Sequence, residues 1–163
     1  MTQSLTLHDF TSKSSNQWRV VDDVVMGGRS SGNFSVNLEG HGIFSGEVST
    51  KNNGGFSSIR HELKTVNTKK FREIVIKLKG DGKAYQFRIK PEISNYYSYI
   101  HTFETDGDWQ EVHIPFDDFF PSFRGRKLDK PNFDGSQIEE MTFLIANKKN
   151  ESFKLEMDWI KVN

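Results

Sequence analysis

Residues 22–30, DDVVMGGRS, bring two adjacent acids, a Gly-Gly pair, an arginine and a serine into one short stretch. Three chemistries could use such a set. A phosphate loop needs glycines that let backbone N–H groups approach the anion, followed by a helix whose N-terminus faces it. Here the continuation, NFSVNL, alternates like a strand, and the G-x-G-x-x-G and Gly-Lys-Ser/Thr spacings are missing. A calcium loop could draw oxygens from Asp22, Asp23 and nearby hydroxyls, but the D-x-[DN]-x-[DN]-G spacing is also missing. The spacing favours the third reading, a hairpin turn in which Gly27 and Gly28 supply positive φ. Residues 52–56, NNGGF, form a second glycine pair (Asn52, Asn53, Gly54, Gly55, Phe56). Two such turns beside apolar anchors, Met26 and Phe56, predict two places where backbone closely approaches backbone.

Other chemistry-bearing residues are scattered. The five histidines, His8, His41, His61, His101 and His113, show neither H-x-H nor H-E-x-x-H spacing, and the chain has no cysteine. A zinc site would have to be assembled from separate strands, so no metal and no cofactor is expected. No G-x-S-x-G elbow prepares a serine nucleophile. The paired acids Asp117-Asp118 and Glu139-Glu140 would point to opposite faces of a strand, which argues weakly against a glycosidase pair. The polar face of the middle strands is richer. Tyr97 and Tyr99 follow Tyr96, Gln86, Arg88 and Lys90 line an adjacent segment, and Arg60 shares parity with Ser58. Aromatic rings beside arginines can stack on sugars or grip a protein surface. Cross-strand tyrosine pairing on a solvated sheet face explains them equally well. Arg124 and Arg126, in RGRK, read either as a solvated loop or as the rim of a contact with an acidic partner.

The elements that must position these residues are strands. Ile74, Ile76 and Leu78 alternate, as do Tyr85, Phe87 and Ile89, then Val112 and Ile114. Phe34, Val36 and Leu38 are expected to share one face, and so are Phe153, Leu155, Met157 and Trp159. Turn clusters separate the runs, among them Gly80, Asp81 and Gly82. Nine to eleven short strands at this spacing predict an all-β sandwich. A helical turn is conceivable only near residues 136–140. Residues 116–135 fit neither period, and Phe116, Phe119, Phe120, Phe123 and Phe133 would tie that long loop down.

The 163 residues suit one domain, with a core near residues 17–162. Hydrophobic residues are only 34%, but the 14 phenylalanines can build a large core from few side chains. With 22 basic and 22 acidic residues the net charge is zero, which removes the electrostatic footprint of a nucleic-acid binder and any general pull toward an anionic membrane. No apolar run is long enough to span a bilayer, so no stable membrane insertion is expected. The first 18 residues have the pattern of neither a signal nor a transit peptide, and the expected location is cytoplasmic.

Five stretches then occur in order: DDVVMGGRSSG, NNGGFSSIR, GDGKAYQFRIK, DWQEVHIPFDDFFPSFRGR and IEEMTFLIANKKNESFKLEMDWIKV. Together they resemble the complex I intermediate-associated protein 30 family, over nearly the whole chain from Trp18 to Val162. The resemblance implies a galactose-binding-like jelly-roll β-sandwich, related to some carbohydrate-binding modules. It also implies a role like that of the mitochondrial members, assembly chaperones that bind intermediates of respiratory complex I. The chain looks like the short, stand-alone bacterial members. The family offers no catalytic residue set to carry over. The glycine turns and Asp22 then read as the family's structural signature, with Met26 packed inward. The expected function is non-enzymatic binding of a protein partner through Arg60, Arg88, Tyr97, Tyr99, Arg124 and Arg126. A carbohydrate-binding module is the alternative, and a sugar- or nucleotide-linked enzyme a weaker one.

Overall fold

The computed structural model describes residues 3–10 and 17–163, without the side chains of Val25, Met26 and Asn53. The expected inward packing of Met26, and the Asn53 side chain, therefore lie outside the described residues. Among the described residues thirteen strands are formed, more than the nine to eleven expected, because the long phenylalanine-rich loop contributes two. They are β1 (Leu5–Asp9), β2 (Arg19–Asp22), β3 (Ser31–Val36), β4 (Gly42–Val48), β5 (Ser57–Asn67), β6 (Glu73–Lys79), β7 (Ala84–Lys90), β8 (Ser98–Glu104), β9 (Trp109–Pro115), β10 (Phe120–Phe123), β11 (Arg126–Lys127), β12 (Gln137–Ile145) and β13 (Glu151–Val162). Residues 136–140 lead into β12 rather than forming a helical turn, because β12 pairs on both sides. No α-helix occurs among the described residues.

Two antiparallel sheets stack face to face. One runs β3-β4-β13-β6-β9, with β1 pairing β13; the other runs β11-β10-β8-β7-β12-β5-β2. Their inner faces carry the alternating apolar residues. Ile74, Ile76 and Leu78 of the first sheet are fully buried, as are Ile59, Phe87, Met141 and Phe143 of the second. Phenylalanines fill the gap between sheets edge to face, with ring centroids 4.7 Å apart for Phe44–Phe153 and 5.0 Å for Phe87–Phe143. Phe116, Phe119 and Phe133 are buried and pin the long segment to the core, whereas Phe123 stays 37% exposed.

Two strands depart from simple alternation. In β13 the register slips between Met157 and Trp159, so inward parity passes from Met157 to Ile160 and Val162, and Trp159 turns partly outward under Lys161. A bulge inserts one residue and reverses the face of everything after it. Leu38 falls beyond the end of β3, in the turn before β4, and is fully exposed.

β1 closes one edge of the core with a buried histidine. His8 lies against Phe10 at 4.5 Å and His61 at 4.7 Å, and its Nε2 accepts a hydrogen bond from Trp18 Nε1 at 3.1 Å. Burial, reinforced by His61 and opposed by Asp9, pushes its pKa from 6.5 down to about 4. Between those values the unfolded chain binds a proton at His8 that the folded chain refuses. Stability should therefore be complete above pH 6.5 and fall as the pH drops toward 4, by on the order of 3 kcal/mol from this group. Urea unfolding at pH 7 and pH 4.5 checks this; His8→Gln, which keeps an acceptor for Trp18, should flatten that part of the pH dependence.

Candidate functional site

The opening acidic stretch is built as a clasp. Asp23 is fully buried. Its Oδ1 accepts from Ser30 N at 2.9 Å; its Oδ2 accepts from Ser30 Oγ at 2.5 Å, Gly55 N at 2.6 Å and Phe56 N at 3.2 Å. Burial alone would raise its pKa, but these donors outweigh it and hold the carboxyl below its ordinary value. Asp22 accepts from Gly32 N at 2.9 Å and Ser57 Oγ at 2.5 Å. The chain does not make a hairpin here: β2 pairs with β5 and β3 with β4, so residues 23–30 cross from one sheet to the other. Residues 49–56 cross back from β4 to β5, and the two crossovers meet at Asp23. A Cβ on Gly28 would lie 2.4 Å from Asp23 Cγ, and one on Gly54 would lie 3.0 Å from Gly28 Cα. The two glycine pairs, expected to mark two separate close approaches, instead meet each other at one place, against the Asp23 carboxylate. The third turn works similarly: Asp81, between Gly80 and Gly82, accepts from Tyr85 Oη at 2.9 Å and Lys154 N at 2.8 Å.

With its oxygens filled by protein donors, the clasp offers no obvious ligand chemistry, but it fixes the start of β5 and hence Arg60. Arg60, Thr142 and Arg88 lie side by side across β5, β12 and β7 on the outer face of the seven-stranded sheet. They line a groove of about 220 Å³ together with Lys90, Tyr96, Ser98, Ser122, Phe123, Arg124 and Glu140. Two N–H groups of Arg88, on Nε and Nη2, are held by Gln86 Oε1 at 2.9 and 2.6 Å. Burial and the neighbouring Arg60 push its pKa down to about 10. Burial also lowers that of Arg60, with Arg19 adding to the effect and Glu140 opposing it. Glu140, 5% exposed, lies 3.9 Å from Arg19. Tyr96 and Phe123 meet edge to face at 5.2 Å, and the Arg124 guanidinium lies 5.2 Å over the Phe123 ring. A wider depression of about 480 Å³ lies against Arg60 as well, lined by Gln17, Arg19, His61 and Glu62.

Of the residues expected to form one binding face, Arg60, Arg88 and Arg124 converge on the groove. Tyr99 does not: it packs against the core, 5.5 Å from Phe133, and burial, reinforced by the neighbouring Tyr97 phenol, pushes its own phenol up to about 12. Tyr97 lies against Tyr99 and under Lys130, and Arg126 sits exposed in β11 outside the groove lining. Tyr96 takes the aromatic place instead. Thr142 and Glu140 were missed, although Thr142 has the parity opposite to Met141 and Phe143 in MTFLI. Elsewhere, ligand atoms of Glu39, His41 and Glu156 lie within 4.8 Å of one another, and His41 Nδ1 meets Glu156 at 2.6 Å, anchoring the β3–β4 turn on β13.

The two stacked antiparallel sheets make this a galactose-binding-like jelly-roll sandwich, the architecture of carbohydrate-binding modules. A family 11 carbohydrate-binding module from Clostridium thermocellum, solved in complex with a β-1,3-1,4-mixed-linked tetrasaccharide, superposes with a TM-score of 0.70 at 21% identity, over 98% of this chain and 94% of that one. The profile of complex I intermediate-associated protein 30 matches residues 8–157, and the chain belongs to that family. A probable mitochondrial complex I intermediate-associated protein 30 of Caenorhabditis briggsae is 29% identical over 145 residues, 76% of this chain and 43% of its own length. The mitochondrial protein of that name from Drosophila melanogaster is 25% identical over 170 residues, 89% of this chain and 57% of its own length. The chain thus spans about half the length of the curated relatives it matches.

Asp23→Ala should leave the Ser30, Gly55 and Phe56 N–H groups without their acceptor and cost about 3 kcal/mol or more in stability. Gly54→Ala should also destabilise, through the clash at Asp23. Thermal and urea unfolding of both variants checks this.

Proposed function

We propose that the chain is a non-enzymatic binding protein of the assembly-factor kind, which holds a protein partner through the outer face of its seven-stranded sheet. An intermediate of respiratory complex I is the partner that the family's name points to. The supporting observation is the half-buried guanidinium pair Arg60 and Arg88 beside the exposed rings of Tyr96 and Phe123. Arginine and aromatic side chains presented together on an open face are the usual anchors of a protein interface. The groove holds a single carboxylate, Glu140, whereas glycoside hydrolysis ordinarily uses two flanking the bond. That supports binding over catalysis.

The same rings favour one second reading, a carbohydrate-binding module. Tyr96 and Phe123 border a groove on a sandwich that resembles such modules in fold.

Affinity capture from cells of the source organism, with wild-type protein beside an Arg88→Ala/Tyr96→Ala variant, tests the first reading. Complex I subunits should be retained by the wild type and lost by the variant. Equal retention by both would move the interface elsewhere. Saturable binding to neutral glycans, abolished by Tyr96→Ala, would favour the second reading.

A further inference from the structure

The groove between β5, β12, β7 and the β10–β11 hairpin has a charge arrangement that a neutral ligand would leave unbalanced. Four cationic side chains line it, Arg60, Arg88, Lys90 and Arg124, against the single carboxylate of Glu140. That carboxylate is also shared with Arg19 at 3.9 Å. Thr142 stands between Arg60 and Arg88 in the pleat, so their Cα atoms are about 10 Å apart across two strand spacings. A short side chain between two long ones leaves a cradle with a guanidinium on each wall. Gln86 fixes one wall by holding two N–H groups of Arg88. On the other wall, Arg60 Nε is buried and has no hydrogen-bond partner among the described residues. A buried donor left unpaired is costly and uncommon in native proteins. Two partly buried cations side by side add repulsion, which together with the larger effect of burial lowers the pKa of Arg88.

An oxyanion relieves both the charge excess and the repulsion. Its oxygens accept from both guanidinium forks, its charge offsets the repulsion, and the desolvated setting strengthens each contact. Ser98 and Ser122, opposite each other in β8 and β10, add hydroxyls to the lining. The Tyr96 and Phe123 rings border the mouth and can take the apolar face of a sugar-sized body. The volume of about 220 Å³ is below the range usual for whole drug-sized ligands, about 300–1,000 Å³, so it suits one charged unit and not an oligosaccharide chain.

We propose that this groove is an oxyanion-binding site for a small sugar-sized ligand carrying a carboxylate or a phosphate ester, held between Arg60 and Arg88. The proposal rests on the groove being a recognition site. It does not depend on which protein partner the chain holds, so failure of the capture experiment leaves it standing.

The test is direct titration of the full chain, followed by calorimetry and by the arginine Nε–H resonances. The probes are inorganic phosphate, glucose 6-phosphate, glucuronate and, as the neutral control, glucose. At least one anion should bind saturably and shift the Arg60 and Arg88 resonances, while glucose at the same concentration should not. Binding of both phosphates assigns a phosphate ligand; binding of glucuronate alone assigns a carboxylate. Arg88→Gln should weaken binding by about ten-fold or more. Arg124→Gln, an exposed rim change that leaves the sheet intact, should weaken it less, and Arg126→Gln should leave it unchanged. Absence of saturable binding by all three anions would overturn the proposal. So would equal binding of glucose, or binding unaffected by both Arg88→Gln and Arg124→Gln.

Discussion

A buried carboxylate with four protein donors closes one edge of the sandwich. The chain passes from the seven-stranded sheet to the six-stranded sheet through residues 23–30 and returns through residues 49–56. Both passages converge on Asp23, which joins Ser30 on the first to Gly55 and Phe56 on the second. Asp22 adds Gly32 of one sheet and Ser57 of the other. Ser30 Oγ in turn accepts from Ser49 N at 2.9 Å. Such a carboxylate is stable in the interior only because its oxygens are filled by protein donors. The glycines follow from that requirement, since a Cβ at Gly28 or Gly54 would occupy the space the carboxylate needs.

The clasp also sets the geometry of the outer groove. β5 begins at Ser57, directly after the donors at Gly55 and Phe56, and Arg60 follows within the same strand. β12 is the strand between β5 and β7, so it fixes the separation of Arg60 from Arg88. Its bulge between Ile138 and Glu140 helps bring Glu140 onto the outer face beside Glu62, where Arg19 of β2 lies 3.9 Å from each. A chain with no net charge thereby concentrates positive charge on one part of a sheet face. Composition alone cannot reveal such a local excess, because it does not say where in the fold each charge lies.

Membership of the complex I intermediate-associated protein 30 family and a fold shared with carbohydrate-binding modules are compatible on physical grounds. A sandwich of two well-filled sheets is a rigid frame whose outer faces and loops can change without disturbing the phenylalanine core. Here the groove combines guanidinium groups with two aromatic rings on the outer face of one sheet.

Alternation at Ile74–Leu78 and Tyr85–Ile89 was enough to predict an all-β sandwich, because a half-buried strand must place every second residue on the core face. The two glycine pairs likewise signalled close backbone approach, because few other residues allow it. The sequence also contained Arg60, Arg88 and Arg124, but not their meeting with Tyr96, Glu140 and Thr142 from other strands. Nor did it show that Tyr99 turns inward, or that the bulge in β13 would exchange Trp159 for Ile160. Alternation along one strand carries no information about which strand pairs beside it or where the register slips. Side-chain periodicity is local, and sequence alone determined it; strand order, sheet crossing and bulges are long-range outcomes, and only the tertiary structure decided them.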